Sequence, residues 1–498
     1  MRRTIVRTLL SLAAALAVAV AAIAPAGADS RPHLALDPDV GPPTTETAAI
    51  GKGFRAGETV ELLIDSTVVG STVADGKGKF QAEFVVPAPA APGDHVVQAR
   101  GMSSGIIASR VFLVRTDWAQ FHFDAGRIGF NPFENVLSPG SVSGIIIQLR
   151  KATGGAIVGS PVYCGGLVYV GSSDGNVYAS QPPPDQDFQW VFATRGPVVS
   201  SAAAFPPGPS GPCKVIVGSM DGNVYALDGA SGRLLWSFGV GAPIAAPLLA
   251  MAEGSLVVGD LKGVLHAFDR NGNRLWATQL DGPISGAAAF LTPPPEGDAP
   301  VPAQIDPGNR IYVGTERGTL YSLNPSDGRV MFAVTVDGPI VAAPAVVRGF
   351  PEPGAPPMVF VGTTAGTLYA LFADDGTEVW RFRTDGPITG TPGFIMPCFF
   401  VGSGDGRVYD IEEVDGRPVP SWIASVGSPV NTSLALANGV LYFGADDSKL
   451  HALDAATGRE LFTSAEITDT RSSPIVADGM VIVGTMSGGL VTFGLERR

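Results

Sequence analysis

Charge is scarce in this sequence of 498 residues. Charged residues make up 16% of the chain, against about 25% in an average globular protein. The net charge of −13 argues against nucleic acid as a partner. Because 45% of the residues are hydrophobic, the chain can build a large core, and its low charge does not indicate disorder. The 64 Gly and 42 Pro require frequent turns, which is typical of an all-β protein.

Cysteine is nearly absent, and the few cysteines are far apart. The chain has Cys164, Cys213 and Cys398, without a Cys-Cys dipeptide or a C-x-x-C motif. This spacing excludes vicinal-disulfide redox chemistry, thiolate zinc motifs and covalently attached haem. Since the five histidines are also scattered, the sequence predicts no catalytic residue and no metal site. The histidines are His33, His95, His122, His266 and His451.

A long hydrophobic run occurs only at the start of the chain. Arginines precede an apolar stretch over residues 9–23, and the triplet Ala26-Gly27-Ala28 follows it. This order is typical of a secretory signal peptide, which we assign to residues 1–28. The stretch is shorter than the ~18 residues that a membrane span needs, and no second one follows. We therefore expect a secreted protein, extracellular or, if the host has an outer membrane, periplasmic.

Residues 31–115 alternate apolar and polar residues in short runs between Gly, Pro and Asp turns. This pattern predicts a small β-sandwich. The predicted strands lie at 59–64, 67–73, 79–86, 95–100 and 106–114. This part resembles the immunoglobulin-like domains of bacterial secreted proteins, which implies a spacer or adhesive module. The resemblance rests on GKGFRAGETV at 51–60, ADGKGKF at 74–80 and APGDH at 91–95.

A repeat with a period of about 40 to 56 residues organises the chain beyond residue 116. Eight times, two apolar residues precede a glycine and a tight turn. A Tyr or His stands seven residues after seven of these glycines, and Val491 takes that place in the eighth unit. The glycines are Gly171, Gly218, Gly259, Gly314, Gly362, Gly402, Gly444 and Gly484. The Tyr and His residues are Tyr178, Tyr225, His266, Tyr321, Tyr369, Tyr409 and His451.

A second column of bulky residues stands eight positions before each new apolar strand. Each unit then contains four short strands, which predicts a propeller blade. We expect the column to dock neighbouring blades, because a buried indole can wedge between sheets and donate its N–H to the next backbone. The column consists of Trp190, Trp236, Trp276, Phe332, Trp380, Trp422 and Phe462, with Leu149 as its eighth member.

The predicted fold class is therefore all-β. We expect a small immunoglobulin-like β-sandwich over 31–115, a connector over 116–140 and an eight-bladed β-propeller over 141–498. After Gly484 the chain has room for one more strand, so the last blade lacks its outermost strand. We expect an N-terminal strand over 144–151 to fill that place and to close the ring.

Loop length differs between the two faces of the predicted propeller. All longer insertions emerge on one face, where they would offer a stiff, proline-rich surface to a binding partner. The insertions Phe205–Cys213, Leu291–Asn309 and Gly349–Pro357 join first and second strands, and Gln181–Phe188 joins a third to a fourth strand. On the opposite face we expect solvated turn carboxylates, namely Asp174, Asp221, Asp405, Asp446 and Asp447.

The repeat alignment also pairs the cysteines. Cys164 and Cys213 fall in equivalent connections of adjacent blades, whereas Cys398 falls across the ring. We therefore predict a disulfide between Cys164 and Cys213 and a free thiol at Cys398.

The repeat region resembles the propellers of the pyrroloquinoline-quinone (PQQ) type, which carry a tryptophan-docking repeat. The strings that carry this resemblance are ALDGASGRLLW at 226–236, ALDAATGRELF at 452–462, DWAQF at 117–121 and NPF at 131–133. Enzymes of that family hold a Ca²⁺-bound quinone in the central funnel through Glu, Asn and Asp ligands, commonly beside adjacent cysteines. Other members are not catalytic, among them a lipoprotein of outer-membrane protein assembly.

Two departures favour the second group, namely the missing Cys-Cys pair and the compact blades. We therefore expect a secreted, non-enzymatic binding or scaffold protein without a cofactor, whose partner is a protein or an extracellular ligand. The alternative is a PQQ-dependent quinoprotein oxidoreductase of the alcohol or sugar dehydrogenase type, which would need PQQ and Ca²⁺. No residue is assigned to cofactor binding.

Overall fold

The computed structural model describes residues 31–205, 212–291, 309–348 and 355–496. The predicted signal peptide and most of the insertions near 205–213, 291–309 and 349–357 lie outside these residues. Within them the chain is all-β, with one 3-10 turn at Val142–Gly144 and no α-helix. The described residues include no helix with the length and apolar character that a membrane crossing requires.

Eight strands form the N-terminal part: β1 (His33–Asp37), β2 (Val40–Gly41), β3 (Glu46–Lys52), β4 (Thr59–Ile64), β5 (Thr67–Val73), β6 (Lys79–Val85), β7 (Gly93–Gly101) and β8 (Ile107–Val114). They make two sheets, ordered β1-β3-β6 and β2-β8-β7-β4-β5. Leu62 and Phe112 of one sheet pack with Ala49 and Phe80 of the other. The buried residues of this cluster all lie between 34 and 114, so this part has its own core. The five predicted strands correspond to β4 through β8, whereas β1 to β3 were not predicted.

A connector with little regular structure follows. It contains β9 (Phe130–Asn131), and the 3-10 turn and β10 (Ile145–Ala152) follow it.

The repeat region then contains eight sheets in its described residues, which we number in chain order. Sheet 1 consists of β11 (Val162–Cys164), β12 (Leu167–Gly171), β13 (Asn176–Ser180) and β14 (Phe188–Ala193). Sheet 2 consists of β15 (Ala203–Phe205), β16 (Lys214–Gly218), β17 (Asn223–Asp228) and β18 (Leu234–Gly239). Sheet 3 consists of β19 (Leu249–Ala250), β20 (Leu256–Gly259), β21 (Val264–Phe268) and β22 (Arg274–Gln279). Sheet 4 consists of β23 (Ala289–Phe290), β24 (Ile311–Gly314), β25 (Thr319–Leu323) and β26 (Val330–Thr335).

The remaining four sheets repeat this pattern. Sheet 5 consists of β27 (Ala345–Val347), β28 (Met358–Gly362), β29 (Thr367–Phe372) and β30 (Glu378–Arg383). Sheet 6 consists of β31 (Gly393–Ile395), β32 (Cys398–Gly402), β33 (Arg407–Val414) and β34 (Arg417–Ser425). Sheet 7 consists of β35 (Ala435–Ala437), β36 (Val440–Ala445), β37 (Lys449–Asp454) and β38 (Glu460–Thr463), with β9 parallel to β35. Sheet 8 consists of β39 (Ile475–Ala477), β40 (Met480–Gly484) and β41 (Gly489–Leu495), and β10 is its fourth strand.

The pairing of β10 with β41 joins the two ends of the repeat region. The two strands are antiparallel, from Ile145 opposite Leu495 to Ala152 opposite Gly489. The predicted closing strand over 144–151 agrees with β10 within one residue at each end. Without β10, the N–H and C=O groups on one side of β41 would have no strand partner.

The core of the repeat region lies between neighbouring sheets. One buried cluster joins Tyr169 and Trp190 of sheet 1 to Leu227 of sheet 2. Another joins Trp276 of sheet 3 to Ile311 of sheet 4. Each sheet therefore buries its apolar faces against its neighbours, and a single sheet would leave them exposed to water.

The predicted docking residues stand on the fourth strand of their sheets. Each tryptophan donates its indole N–H to an oxygen of the following sheet, and most rings lie against a glycine of that sheet. A Cβ on Gly232 would come within 2.6 Å of the Trp190 ring, so only glycine fits there. The indole bonds are Trp190 to Gly229 O at 2.7 Å, Trp236 to Arg270 O at 3.2 Å, Trp276 to Pro325 O at 2.7 Å, Trp380 to Glu413 Oε2 at 2.7 Å and Trp422 to Ala455 O at 3.1 Å.

Burial of these rings is uneven. Trp380 is 4% exposed, whereas Trp236 is only half-buried. Because large aromatic deletions in cores cost about 3 to 5 kcal/mol, we predict that Trp380→Ala lowers the free energy of unfolding by that amount. Trp236→Ala should lower the free energy of unfolding by clearly less. Denaturant unfolding of both variants measures the two losses. A Trp380 loss below about 1 kcal/mol would contradict the docking role.

Cys164 ends β11 of sheet 1, and Cys213 precedes β16 of sheet 2. The structure joins them in a disulfide with a Cα–Cα distance of 6.2 Å. Cys398, at the start of β32, is a free thiol and is half-buried. The disulfide adds a covalent link between two neighbouring sheets.

Thiol titration tests this pairing. Denatured, non-reduced protein should react with one equivalent of a maleimide, and peptide mapping should place the label on Cys398. The Cys398→Ser variant should then react with none. Three labelled thiols in the parent protein would mean that Cys164 and Cys213 are not joined.

Candidate functional site

A cavity of about 230 Å³ lies where the eight innermost strands converge. The segments that precede those strands line it, and Phe121 of the connector contributes to its wall. Among the described lining residues, Arg471 alone is charged. Its side chain is largely exposed and lies 3.8 Å from Asp469. The cavity is thus narrow, weakly charged and made mainly of small residues.

One position of each repeat dominates the lining. Five of the eight sheets place a hydroxyl there, and sheets 3 to 5 place Pro or Ala. The column is Ser160, Ser201, Pro247, Ala287, Ala343, Thr391, Ser433 and Ser473. The apolar positions of this column contact the connector, because Ala287 and Ala343 form a buried cluster with Phe121.

The hydroxyl positions form a chain of hydrogen bonds around the cavity. In each bond, a backbone N–H of one sheet donates to the hydroxyl oxygen of the next sheet. These bonds run from Ala343 N to Thr391 Oγ1 at 3.1 Å, Thr391 N to Ser433 Oγ at 2.9 Å, Ser433 N to Ser473 Oγ at 2.9 Å, Ser473 N to Ser160 Oγ at 3.1 Å and Ser160 N to Ser201 Oγ at 2.8 Å. The hydroxyls therefore join adjacent sheets. Each already accepts a backbone hydrogen bond, which leaves fewer lone pairs for a ligand.

The connector reaches the innermost strand of all eight sheets. Its partners on sheets 1 to 4 are Tyr163 (with Trp118, 2.8 Å in both directions), Ala204 N (to Ala119 O, 2.6 Å), Ala250 N (to Gln120 Oε1, 3.1 Å) and Phe290 N (to Ala125 O, 2.8 Å). Its partners on sheets 5 to 8 are Val346 N (to Gly126 O, 2.8 Å), Phe394 N (to Ile128 O, 2.8 Å), Leu436 N (to Gly129 O, 2.8 Å) and Val476 O (from Asn131 Nδ2, 2.8 Å). The segment therefore closes one end of the channel.

This end also carries the turns between first and second strands. Gly165, in the turn after β11, donates its N–H to Asp117 at 3.1 Å, and Gly479, in the turn after β39, donates to Glu134 at 3.0 Å. We call it the connector end. Three of the four predicted insertions join first to second strands, so their described flanks lie at this end, whereas Gln181–Phe188 joins the third strand of sheet 1 to the fourth.

Arg127 anchors the connector at the middle of the ring and is fully buried. Its guanidinium donates to Ala288 O at 2.9 Å and to Leu248 O at 3.0 Å, thereby joining sheets 4 and 3. It also donates to Gln120 Oε1 and Phe121 O within the connector. Burial lowers the pKa of Arg127 to about 9, an effect that nearby Asp124 partly offsets, so the side chain is cationic at neutral pH.

His122 has a structural role as well. Its two ring nitrogens lie 2.6 Å from Arg127 O and 2.9 Å from Leu434 O. Burial lowers the pKa of His122 to about 4, so the ring is neutral at physiological pH. It holds the connector to sheet 7.

The five predicted turn carboxylates also accept hydrogen bonds, although Asp174 and Asp446 are exposed and the other three are half-buried. Each accepts a bond from a ring or an amide on its own sheet. For Asp174, desolvation alone would raise the pKa, but the bond from Tyr178 and a backbone N–H outweighs it and lowers the pKa. The bonds are Tyr178 to Asp174 at 2.6 Å, Tyr225 to Asp221 at 2.7 Å, Tyr409 to Asp405 at 2.6 Å, Asn431 to Asp446 at 3.0 Å and His451 to Asp447 at 3.1 Å. In sheets 1, 2, 6 and 7 the repeated Tyr or His therefore bonds to the turn.

The cavity does not fit a calcium-bound quinone. Ca²⁺ takes six to eight oxygen ligands, with carboxylates prominent among them. No Asp or Glu occurs among the described residues that line the cavity, and Asn431 is the single amide side chain there. The ring hydroxyls already accept backbone hydrogen bonds. We therefore derive no step through a quinone at this site.

The residues singled out from the sequence lie away from the cavity. The docking column is on outer strands, and the Cys164–Cys213 disulfide is between sheets 1 and 2. Sequence reasoning missed Arg127, because one arginine in an irregular segment carries no periodic signal. It also missed the small-residue column. In seven of the eight repeats a Ser, Thr, Ala or Pro stands three residues after an Ile or Val, as Ser201 does after Val198.

A further cluster was missed on sheet 6. Cys398, Asp410 and Glu412 place one sulfur and two oxygen atoms within 4.8 Å of one another. Asp410 stands where most repeats have alanine. A second grouping, Asp117 with Cys164 and Cys213, has its sulfurs in the disulfide.

Together, the repeated sheets and their convergence on one channel define a β-propeller of PQQ-like repeats. The chain belongs to the family described as outer membrane protein assembly factor BamB, which matches residues 201–299, 262–351, 347–419 and 404–496. An outer membrane protein assembly factor BamB of Nitrosomonas eutropha is 27% identical over 134 residues. That match covers 27% of this chain and 28% of the relative, so the chain spans less than a third of its length.

Solved structures share the fold at low sequence identity. A europium-containing methanol dehydrogenase has a TM-score of 0.59 and 14% identity, over 76% of this chain and 98% of that one. A quinohemoprotein alcohol dehydrogenase from Comamonas testosteroni has a TM-score of 0.61 and 15% identity, over 77% of this chain and 81% of that one. These likenesses establish the β-propeller fold and do not extend to activity.

Arg127→Met tests whether the connector stabilises the ring. The substitution leaves the carbonyls of Ala288 and Leu248 without a donor. Because a hydrogen bond to a charged group contributes about 1.5 to 3 kcal/mol, we predict a loss of about 3 kcal/mol or more in the free energy of unfolding. Arg150→Met, on an exposed residue of β10, is the matched control and should change stability by under about 0.5 kcal/mol. Equal unfolding midpoints for the two variants would contradict the anchoring role.

Proposed function

We propose that this protein is a secreted, non-enzymatic scaffold that binds another protein. In this proposal the eight sheets of the repeat region are the blades of one closed propeller. The antiparallel pairing of β10 with β41 and the contribution of all eight sheets to one cavity support closure. The separate core of residues 34–114 supports an independent N-terminal sandwich, which we assign to the immunoglobulin-like class.

The connector is the observation that carries the scaffold proposal. It bonds to the innermost strand of every described sheet and fills the channel from one end with the buried Arg127. A segment bound at so many points holds the blades in fixed positions. A substrate funnel would instead need open space and groups that can change partners during a reaction.

The remaining cavity offers little for catalysis. Its lining supplies hydroxyls that already accept bonds from neighbouring sheets, and it supplies one largely exposed arginine. It contains no carboxylate among the described residues to act as a general base or as a cation ligand. These features favour binding over oxidoreductase chemistry.

We place the partner surface at the connector end. The three insertions at 205–213, 291–309 and 349–357 join first to second strands, whose other turns lie beside the connector. The N-terminal sandwich reaches the same end, because Asn135 of the connector donates to Ala88 O and Ala90 O at 3.1 and 2.8 Å. The family description, an outer membrane protein assembly factor, suggests an envelope protein as the partner.

Two assays on the purified mature protein separate the scaffold from the oxidoreductase. Incubation with PQQ and Ca²⁺, followed by gel filtration, should leave no chromophore with the protein. Immobilised protein should capture one or more partners reproducibly from the host envelope fraction. A stoichiometric PQQ complex that reduces a dye with an alcohol or a sugar would overturn the proposal.

A variant set locates the surface. Shortening the three insertions to two-residue turns should preserve folding, because loop length affects stability weakly, and should reduce capture at least about tenfold. Arg195→Glu and Arg317→Glu, both exposed at the opposite end, are the matched controls and should capture normally. Normal capture by the shortened protein together with loss in the controls would move the surface to the opposite end.

A further inference from the structure

Sheet 6 carries a cluster of metal-ligating groups outside the channel. Cys398 lies on β32, and Asp410 and Glu412 lie on the adjacent strand β33. Phe400 is opposite Asp410, so Cys398 comes opposite Glu412 and all three side chains project from the same face. That face packs towards sheet 7, because Phe400 and Cys398 belong to the buried cluster that contains Leu441 and Leu453.

Asp410 departs sharply from the repeat. Its position follows the repeated Tyr or His, and five other sheets have a buried alanine there. The equivalents are Ala179, Ala226, Ala267, Ser322, Ala370, Ala452 and Thr492. A carboxyl group thus stands where the other repeats have a small residue.

The Asp410 carboxyl is buried and incompletely bonded. The residue is 2% exposed, and its Oδ1 has no hydrogen-bond partner among the described residues. A buried carboxyl oxygen without a partner is unfavourable, because burial removes its water. A cation at this point would provide the missing partner.

The neighbouring atoms have spacings that suit a tetrahedral metal ion. The Cys398 thiol donates a hydrogen bond to Glu412 Oε1, with a sulfur–oxygen distance of 3.6 Å. In a tetrahedral zinc site, with Zn–S near 2.3 Å and Zn–O near 2.1 Å, a sulfur and an oxygen ligand are about 3.6 Å apart. The Asp410 carboxylate is close enough to complete a set of one sulfur and two oxygen ligands.

We propose that Cys398, Asp410 and Glu412 bind a thiophilic divalent cation of the Zn²⁺ type, with water as the fourth ligand. The thiolate separates this class from Ca²⁺ and Mg²⁺, which prefer oxygen ligands only. Binding requires loss of the Cys398 proton to solvent, after which the metal carries the thiolate and both carboxylates. Because Cys398 and Glu412 are half-buried, the ion can enter from the surface.

Zinc titration of the full mature protein tests this site. Protein stripped with a chelator is titrated with Zn²⁺ alone against a chromophoric competitor, and alkylation of the Cys398 thiol is followed with and without the metal. We expect one Zn²⁺ per chain and at least about tenfold slower alkylation in its presence. Co²⁺ in place of Zn²⁺ should give a thiolate charge-transfer band in the near ultraviolet.

Three variants control the assay. Asp410→Ala restores the residue of the other repeats, so it should fold, and it should bind Zn²⁺ at least about tenfold more weakly. Cys398→Ser should also bind more weakly and lose the Co²⁺ band. Asp415→Asn removes an exposed carboxylate from the same hairpin, at a positive φ of 51° that Asn tolerates, and should bind as the parent does.

The outcomes decide the assignment. Unchanged Zn²⁺ affinity in both Asp410→Ala and Cys398→Ser would overturn the proposal, as would the absence of zinc binding by the parent protein. Equal protection of Cys398 by Ca²⁺ would overturn the thiophilic assignment. These results are independent of partner capture at the connector end.

Discussion

Each sheet of the repeat region must bury both of its apolar faces, and this constraint governs the rest of the structure. Four short strands cannot do so alone, so every sheet needs a neighbour on either side. The first and last sheets can satisfy this need only if they meet each other. The β10–β41 ladder brings the start of the repeat region to its end, and Leu149 takes the place that tryptophan or phenylalanine occupies in the other sheets. Burial thus gives a physical reason for the closure that we propose.

A ring of sheets leaves a channel at its centre, where the innermost strands present backbone groups without a strand partner. In this protein the connector provides hydrogen-bond partners for many of these backbone groups. The connector hydrogen-bonds to all eight innermost strands, as the acceptor on sheets 1 to 7 and as a donor on sheets 1 and 8, and Arg127 supplies donors to the carbonyls of Ala288 and Leu248. The connector residues that form these hydrogen bonds also occupy space in the channel. A stable ring and an open catalytic funnel therefore compete for the same space, and here the connector has filled much of it.

Periodicity made most of the fold predictable. The repeated glycines and aromatic residues located the strands, because each marks a position that every sheet must satisfy in the same way. Non-periodic features were not predictable. The connector follows no alternation, so nothing in the sequence indicated that Arg127 would be fully buried. The hydrogen bonds of the turn carboxylates were missed for a related reason. The D-x-x-x-Y spacing of Asp174 and Tyr178 was visible, but its meaning depends on a hairpin that brings the two side chains together.

The repeat also provides the reference against which individual sites can be recognised. Where a residue type recurs, as with Asp174 and Asp221 bonded by Tyr178 and Tyr225, the simplest account is structural, since all sheets share the packing problem. A departure at one sheet has no such account. Asp410 interrupts a column of small residues with a buried carboxyl group, one oxygen of which has no hydrogen-bond partner among the described residues. In a repeat protein, an unfavourable group that one unit bears and the others avoid is therefore a reason to propose a site specific to that unit.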